Sequence, residues 1–500
     1  MAAPLRRLLP LVSALAALAG CFKPAGSCEQ TSDCAKGESC NGGVCVQSTS
    51  LGGGGSGGGQ DPTSFTPVTW SALEGSPGTT FRVDAIGADA GTGDVVVAGS
   101  IEGTFSPWGI STGAFATKLS GGNGAFGWSI PFPTFSHERF RVAVLPGGDV
   151  LFAATILDPT TIPPFSFTPP PEGALVVGRL PAGGGAALWA RAVASASAAS
   201  TLVPVALSAW GNDLLVAGAG AGDFGCAGGA TSGATFAVAL AGANGACLWS
   251  RGFATRSIAD IEPRDAGDAA IAGVCAPTGA SFDPGTGATC AKGLYVAALS
   301  GANGGTSWAR FASGSGDVTA VRDVAVTPDG SVTVVGDATG AVSFGGTTID
   351  FGTASGSFAA RFGPGGAPSG VVRPLEAPYA PLPDAASFVR CAADRLGKVW
   401  IAGRYQGQPT VGGVRFSACR PPSCASASFL ARLETDGRVS SFLPLRAAPL
   451  PDGSGFTDDL VLYATTGTLA HALRFSGSTS VGGATWQSQA GDLGVLRIVP

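Results

Sequence analysis

One phrase, written repeatedly along the chain, limits what it can fold into. "LSGANGGTSWARF" at 299–311 returns as "LAGANGACLWSRGF" at 240–253, "LSGGNGAFGWSIPF" at 119–132 and, more loosely, "LPAGGGAALWARAV" at 180–193. In all four the tryptophan follows the leucine by nine positions. The phrase ends a longer unit of about 60 residues. Before it in each unit comes a run closing in Leu or a similar residue: "AFATKL" (from 114), "ALVVGRL" (174), "TFAVAL" (235), "GLYVAAL" (293), "SFAARF" (357), "SFLARL" (428) and "DLGVLRI" (492). Earlier still stand "DVVVAGS" (94), "DVLFAAT" (149), "DLLVAGA" (213), "DAAIAGV" (268), "SVTVVGD" (331), "KVWIAGR" (398) and the degraded "TLAHALR" (468). A third class leads each unit: "RVDAIG" (82), "RVAVLP" (141), "VPVALS" (203), "ADIEP" (259), "RDVAVT" (322), "RCAAD" (390) and "DDLVLY" (458). Each class counts to seven.

These runs are short, rich in Val, Ile and Phe, and bounded by Gly, Asp, Asn and Pro, which is the punctuation of strands and not of helices. The "GANG", "PDG" and "TDG" joints read as hairpin turns, where Asn and Gly accept positive φ. Four strands per unit and seven units predict an all-β chain folded as a seven-bladed β-propeller. Runs such as "VVVAG", apolar at consecutive positions, suit a strand buried on both faces. The last unit lacks its tryptophan strand, while an orphan, "FTPVTWSAL" (Phe65–Leu73), stands ahead of the first. That segment is expected to complete the seventh blade and remove the open edges. The repeated phrase is then a hairpin turn plus the outer strand, with its Trp packed between blades. Counting that segment as the first outer strand, the sixth and seventh along the chain, "SGVVRPL" (369) and "SSFLPL" (440), carry none.

With 79 Gly, 35 Pro and only 13% charged residues the chain is turn-rich, and a 45% hydrophobic fraction argues against disorder. The net charge of −5 forms no basic stripe, which speaks against a nucleic-acid partner. "MAAPLRRLLPLVSALAALAGC" reads as a secretory signal: a basic start, an apolar run too short to span a bilayer, then small residues up to Cys21. Cys28, Cys34, Cys40 and Cys45 crowd into a segment too small for a core, so two disulfides are expected to staple it, with three connectivities open. Zinc is the sharper rival, but the spacing lacks paired C-x2-C knuckles. A Gly/Ser-rich tether follows. The expected organisation is a signal peptide at 1–20, a cysteine-rich module at 21–47, a linker at 48–64 and the propeller at 65–500.

Three resemblances bear on these parts. Leu18-Ala19-Gly20-Cys21 resembles the lipobox of bacterial lipoproteins, which implies cleavage before Cys21, its lipidation and a membrane anchor. Phe22 in place of Asp implies, by analogy with known sorting rules, the outer membrane, facing periplasm or exterior. The Asp33–Cys45 pattern resembles short cysteine-rich modules of secreted proteins. "VAVTPDGSVTVVGDATG" (324) and "SFAARF" (357) resemble, loosely, a bacterial β-propeller repeat that brings no assigned chemistry with it.

Classical catalytic sets are missing from the sequence: there are two histidines, His137 and His471, in different units, and no H-E-x-x-H, phosphate loop or EF-hand. The one aligned set of chemical groups comes from the leading strands, where Asp84, Arg141, Val205, Asp260, Asp323, Cys391 and Asp459 fall at one equivalent position, with Arg82, Arg322 and Arg390 beside it. If that strand is innermost, Asp84, Arg141, Asp260, Asp323 and Asp459 ring the channel as candidates for a polar ligand or cation, or for acid/base work. The plainer reading has Asp and Arg pairing with each other and with exposed backbone at the wall. No cofactor is expected, though the ring leaves room for a structural cation. Of the other cysteines, Cys275–Cys290 and Cys419–Cys424 are expected as local disulfides. Cys226 and Cys247 make a poorer pair, since they should lie at opposite ends of blade three, and Cys391 is left as a buried, inert thiol. The sequence thus favours an envelope binding, adhesion or scaffold module for protein or glycan. The alternative is a polysaccharide-active hydrolase or lyase with its site at the channel mouth.

Overall fold

The computed structural model describes residues 38–41, 44–47 and 68–498, leaving out 133–134, 136–139, 198–199, 228, 230, 265–266, 277–281, 283–288, 291, 354, 376–384, 395, 408, 413, 417–426, 435–437, 447–459, 466–467 and 482–483. The chain divides into two units, Met1–Gln60 and Asp61–Pro500. In the first, Glu38–Asn41 pairs antiparallel with Val44–Gln47, and Cys40 stands opposite Cys45. Cys21, Cys28, Cys34, Cys419, Cys424, His137 and the tether lie outside the described residues. No helix among the described residues is long and apolar enough to cross a membrane.

The second unit is a seven-bladed β-propeller of four-stranded antiparallel sheets. From the axis outward, blade 1 is Thr80–Ala88, Val95–Phe105, Ile110–Leu119 and Phe126–Phe132. Blades 2 to 6 repeat this order, opening with Arg141–Val144, Val203–Trp210, Thr255–Pro263, Asp317–Val326 and Ala385–Ala393. Blade 7 is Leu460–Thr465, Thr468–Val481 and Ala484–Ile498, and its outer strand is Val68–Glu74 from the front of the chain. Trp70 lies opposite Arg497, and Ala72 opposite Val495. The predicted latch is therefore present. Each innermost strand touches those of both neighbours, and blade 7 touches blade 1, so the ring closes.

Its cores lie between blades. Seven buried clusters occur, each drawn from two adjacent blades. The second strand of a blade therefore packs apolar side chains on both faces, which is why Val95, Val96, Val97 and Ala98 are all buried in succession.

The repeated phrase supplies both halves of a joint. The indole of one blade's outer strand lies against the glycine of the next blade's hairpin turn. Trp70 meets Gly124, Trp128 meets Gly184, Trp189 meets Gly245, Trp249 meets Gly304 and Trp308 meets Gly366. All five glycines have positive φ, and a Cβ on any of them would stand 2.5–2.8 Å from the ring. Four indoles also donate to a carbonyl of that turn: Trp70 to Gly121 at 3.0 Å, Trp128 to Ala182 at 3.0 Å, Trp189 to Gly242 at 2.7 Å and Trp308 to Pro364 at 3.0 Å. Trp249 packs the same way, but its buried Nε1 meets no acceptor among the described residues. The outer strands of blades 5 and 6, Pro368–Val372 and Val439–Arg446, lack the residue, so the joints from 5 to 6 and 6 to 7 have no such indole.

Cys275 and Cys290 are bonded as expected. Cys226 and Cys247 are bonded too, which corrects the sequence expectation. The connection leaving Asp213–Ala219 does not stay at its own end of the blade. It folds back along the outside, where Arg191 ties Phe224 O (2.9 Å) and Gly245 O (2.8 Å) together, next to the start of Cys247–Phe253. Cys391 is free and buried.

Candidate functional site: the central channel

The innermost strands enclose a cavity of about 430 Å³ whose charged lining includes Asp84, Arg141, Asp260, Glu262, Asp323 and Arg390. Backbone pairing tests the alignment made from sequence. Opposite the equivalent residue of each second strand stand Ala85, Arg141, Ala206, Asp260, Asp323, Arg390 and Val461. Arg141, Asp260 and Asp323 thus share one register. Asp84 and Val205 precede it by one residue and Cys391 follows by one. Asp459 lies outside the described residues.

β-Bulges stand beside this register, in blades that are in step and in blades that are not. The innermost strands of blades 1, 3, 4, 5 and 6 each carry a β-bulge, at Val83/Ala85, Pro204/Ala206, Ile258/Asp260, Val321/Asp323 and Phe388/Arg390. A bulge sets two residues against one and re-aims the side chains beyond it. It also drives a carbonyl into the second strand. A Cβ on Gly99, Gly218, Gly273, Gly336 or Gly403 would stand 1.9–2.4 Å from the oxygen of Arg82, Val203, Ser257, Ala320 or Ser387. Blade 7, whose described inner pairing shifts nowhere, has Leu473 at that place. The glycine of "VVVAG" therefore reports a bulge from sequence. Glu262 was overlooked for another reason: it sits two residues after Asp260 on one strand, so the period of two returns it to the same face.

The charged groups are built into the wall. Arg141 donates through Nε to Val205 O of blade 3 and through Nη1 to Asp84 O of blade 1 at 3.3 Å. Arg390 of blade 6 donates to Arg322 O of blade 5 at 3.4 Å. Asp260 Oδ1 accepts from Ile261 N (2.8 Å), and its Oδ2 accepts from Val324 N of blade 5 (3.4 Å). Asp323 Oδ2 accepts from Cys391 N of blade 6 (2.8 Å). Arg322 turns to Asp337, Nε to Oδ2 at 2.7 Å, and Arg82 lies 3.6 Å from Asp84.

Asp260 and Asp323 both line the cavity, and Asp260 reaches the amide of Val324, the residue that follows Asp323. Burial pushes Asp323 well above the usual carboxylate range, the Asp260 charge adds to this, and the Arg390 guanidinium opposes it. Burial also raises Asp260, its hydrogen bonds pulling the other way. Glu262 is raised well above its ordinary value, first by burial and then by both neighbouring charges. Burial, with the same acids, pushes the Cys391 thiol far up, so it stays protonated. Among the described residues no three His, Cys, Asp or Glu side chains group as metal ligands would.

No family model matches the chain, and no curated protein matches it. Solved structures similar to it include BamB from Moraxella catarrhalis, at 14% identity and TM-score 0.38, covering 85% of this chain and 100% of that one. A quinohemoprotein alcohol dehydrogenase, ADHIIG from Pseudomonas putida HK5, matches at 10% identity and TM-score 0.42, over 86% and 76%. A protein of unknown function from Dyadobacter fermentans matches at 11% and 0.39, over 87% and 99%. None of these likenesses bears on the channel or its chemistry.

Proposed function

We propose that this chain is an exported, lipid-anchored propeller that binds or scaffolds at the bacterial cell envelope. Cys21 carries the anchor, and the cysteine-rich module and linker act as the tether. The observation that supports binding over catalysis is the engagement of the channel charges: Arg141, Asp260, Asp323 and Arg390 each bond the backbone of a neighbouring blade. Side chains held that way lock the wall and leave little to act on a substrate.

Recognition then falls to the face where second and third strands connect. Those connections are long in blades 2 to 6, as at 157–173, 220–234 and 340–355, and long connections on a rigid scaffold are where binding residues gather. They are weakly charged; "GAGDFGCAGGATSGA" at 220–234 has one ionisable side chain apart from its cysteine, Asp223. Such a surface suits glycan hydroxyls or a neutral protein face. Two measurements test the proposal. Cys21→Ala is expected to abolish acyl-chain labelling and move the chain from the membrane fraction to the soluble one. Purified full chain is expected to be retarded by envelope glycan or cross-link to an envelope protein without cutting either. Release of new sugar ends, abolished by Asp260→Asn, would overturn the binding reading and favour the hydrolase or lyase.

A further inference from the structure

The charged wall of the channel is polarised along its axis. The innermost strands begin at the face where second and third strands connect, so a residue earlier on such a strand lies nearer that face. Arg141 donates to carbonyls one residue before the shared register, those of Val205, Asp84 and Phe140. Arg390 does the same toward Arg322 O and Val389 O. Asp260 and Asp323 accept instead from amides one residue after it, those of Ile261, Val324 and Cys391. The guanidiniums therefore lean toward that face and the carboxyls away from it. Glu262, two residues beyond Asp260, extends the acidic side. We propose that the guanidinium half of the channel is a binding site for a small organic carboxylate of sugar-acid size, entering from that face. This goes beyond the envelope reading and does not depend on it.

The space is adequate, since a cavity of about 430 Å³ falls within the ~300–1,000 Å³ of small-molecule sites. Arg390 makes no ion pair among the described residues, and of its nitrogens Nη1 alone is engaged. Nε and Nη2, one edge of the planar fork, are left to meet the two oxygens of a carboxylate. The bonds of Nη1 hold that fork in place, so binding has little ordering to do. The carboxylates on this half are already matched: Arg82 lies 3.6 Å from Asp84, and Arg322, which also lines the cavity, holds Asp337. Arg82 and Arg256 stand three and four residues before the register, both exposed, and add positive charge at the opening. Beyond the guanidiniums lie Asp260, Glu262 and Asp323, with Ser208 among them. Those groups repel a second acidic group and offer acceptors to hydroxyls. A monocarboxylate carrying hydroxyls therefore fits better than a dicarboxylate.

Calorimetric titration of the purified full chain with D-glucuronate, D-glucose and citrate tests the site. Glucuronate is expected to bind saturably and more weakly as salt is added, citrate to bind less tightly, and glucose not to bind. Arg390→Gln is expected to weaken glucuronate about tenfold or more, whereas Glu262→Gln, on the acidic side, should not weaken it. Absence of saturable glucuronate binding, equal binding of glucose, tighter binding of citrate, or glucuronate affinity unchanged in Arg390→Gln would each overturn the proposal. Should that variant not fold, labelling of the wild type with an arginine-specific dicarbonyl decides. Glucuronate is expected to slow modification of the peptide containing Arg390 and glucose to leave it unchanged; equal labelling under both sinks the site.

Discussion

Trp189 carries two contacts that can be separated by mutation. Its ring packs on Gly245, and its Nε1 donates to Gly242 O at 2.7 Å. Trp189→Phe keeps most of the ring and orphans a carbonyl, so it is expected to cost about 1 kcal/mol more than Trp249→Phe in denaturant melts. Trp249 packs on Gly304 but makes no such bond, so its removal strands no acceptor. Equal losses at the two sites would mean that packing alone does the joining. At this scale the sequence was half legible. The nine-residue spacing from Leu299 to Trp308 identified the phrase and its place on an outer strand. That Gly304 serves the preceding blade's tryptophan could not be read, because the partners are more than 50 residues apart.

Between strands, the glycine that follows the alanine in "VVVAG" marks a bulge opposite. Gly273→Ala would press a methyl against Ser257 O and the Tyr295 ring. It is expected to destabilise the chain by about 1–3 kcal/mol, as other overpacked sites do. Ala154→Gly, where blade 2 holds alanine at the same place, should cost no more than about 1 kcal/mol, and urea titration of both variants is the check. The seven strand sets were legible because period, length and turn residues agree. The ring register was not, because the leading strands carry small or apolar residues on both sides of the charged position and align as well one residue either way.

The same strands set the pH response. Asp260, Glu262 and Asp323 all have raised values in the fold, whereas in the unfolded chain they release protons near pH 4. The native state therefore holds more protons than the unfolded one above that pH, and stability falls as pH rises through the window. Their part of the stability is complete below about pH 4 and is lost toward neutrality. A melting series is expected to decline there, opposite in sign to the gain from acids with lowered values such as Asp94 and Glu434.

For the whole molecule, closure depends on Val68–Glu74. Removing residues through Glu74 would strip the outer strand from blade 7 and bare the edge of Ala484–Ile498. The expected result is a broad, less cooperative melt and association through that edge, seen as a shift to larger species in size-exclusion chromatography. A sharp monomeric transition would count against the latch. The closure was predictable because an outer strand was missing at one end of the repeat series and surplus at the other. The Cys226–Cys247 bridge was not, because strand order says nothing of a connection that doubles back along its blade.

The closing strand is also the first strand of the ring in chain order. Anything that tugs on the segment before Val68 transmits its force through the backbone to the hydrogen bonds with Ala484–Ile498 and to the Trp70 indole set against blade 1. In mechanical terms, load that enters through the residues before Val68 meets the wheel at its seam, and the clasp bears it.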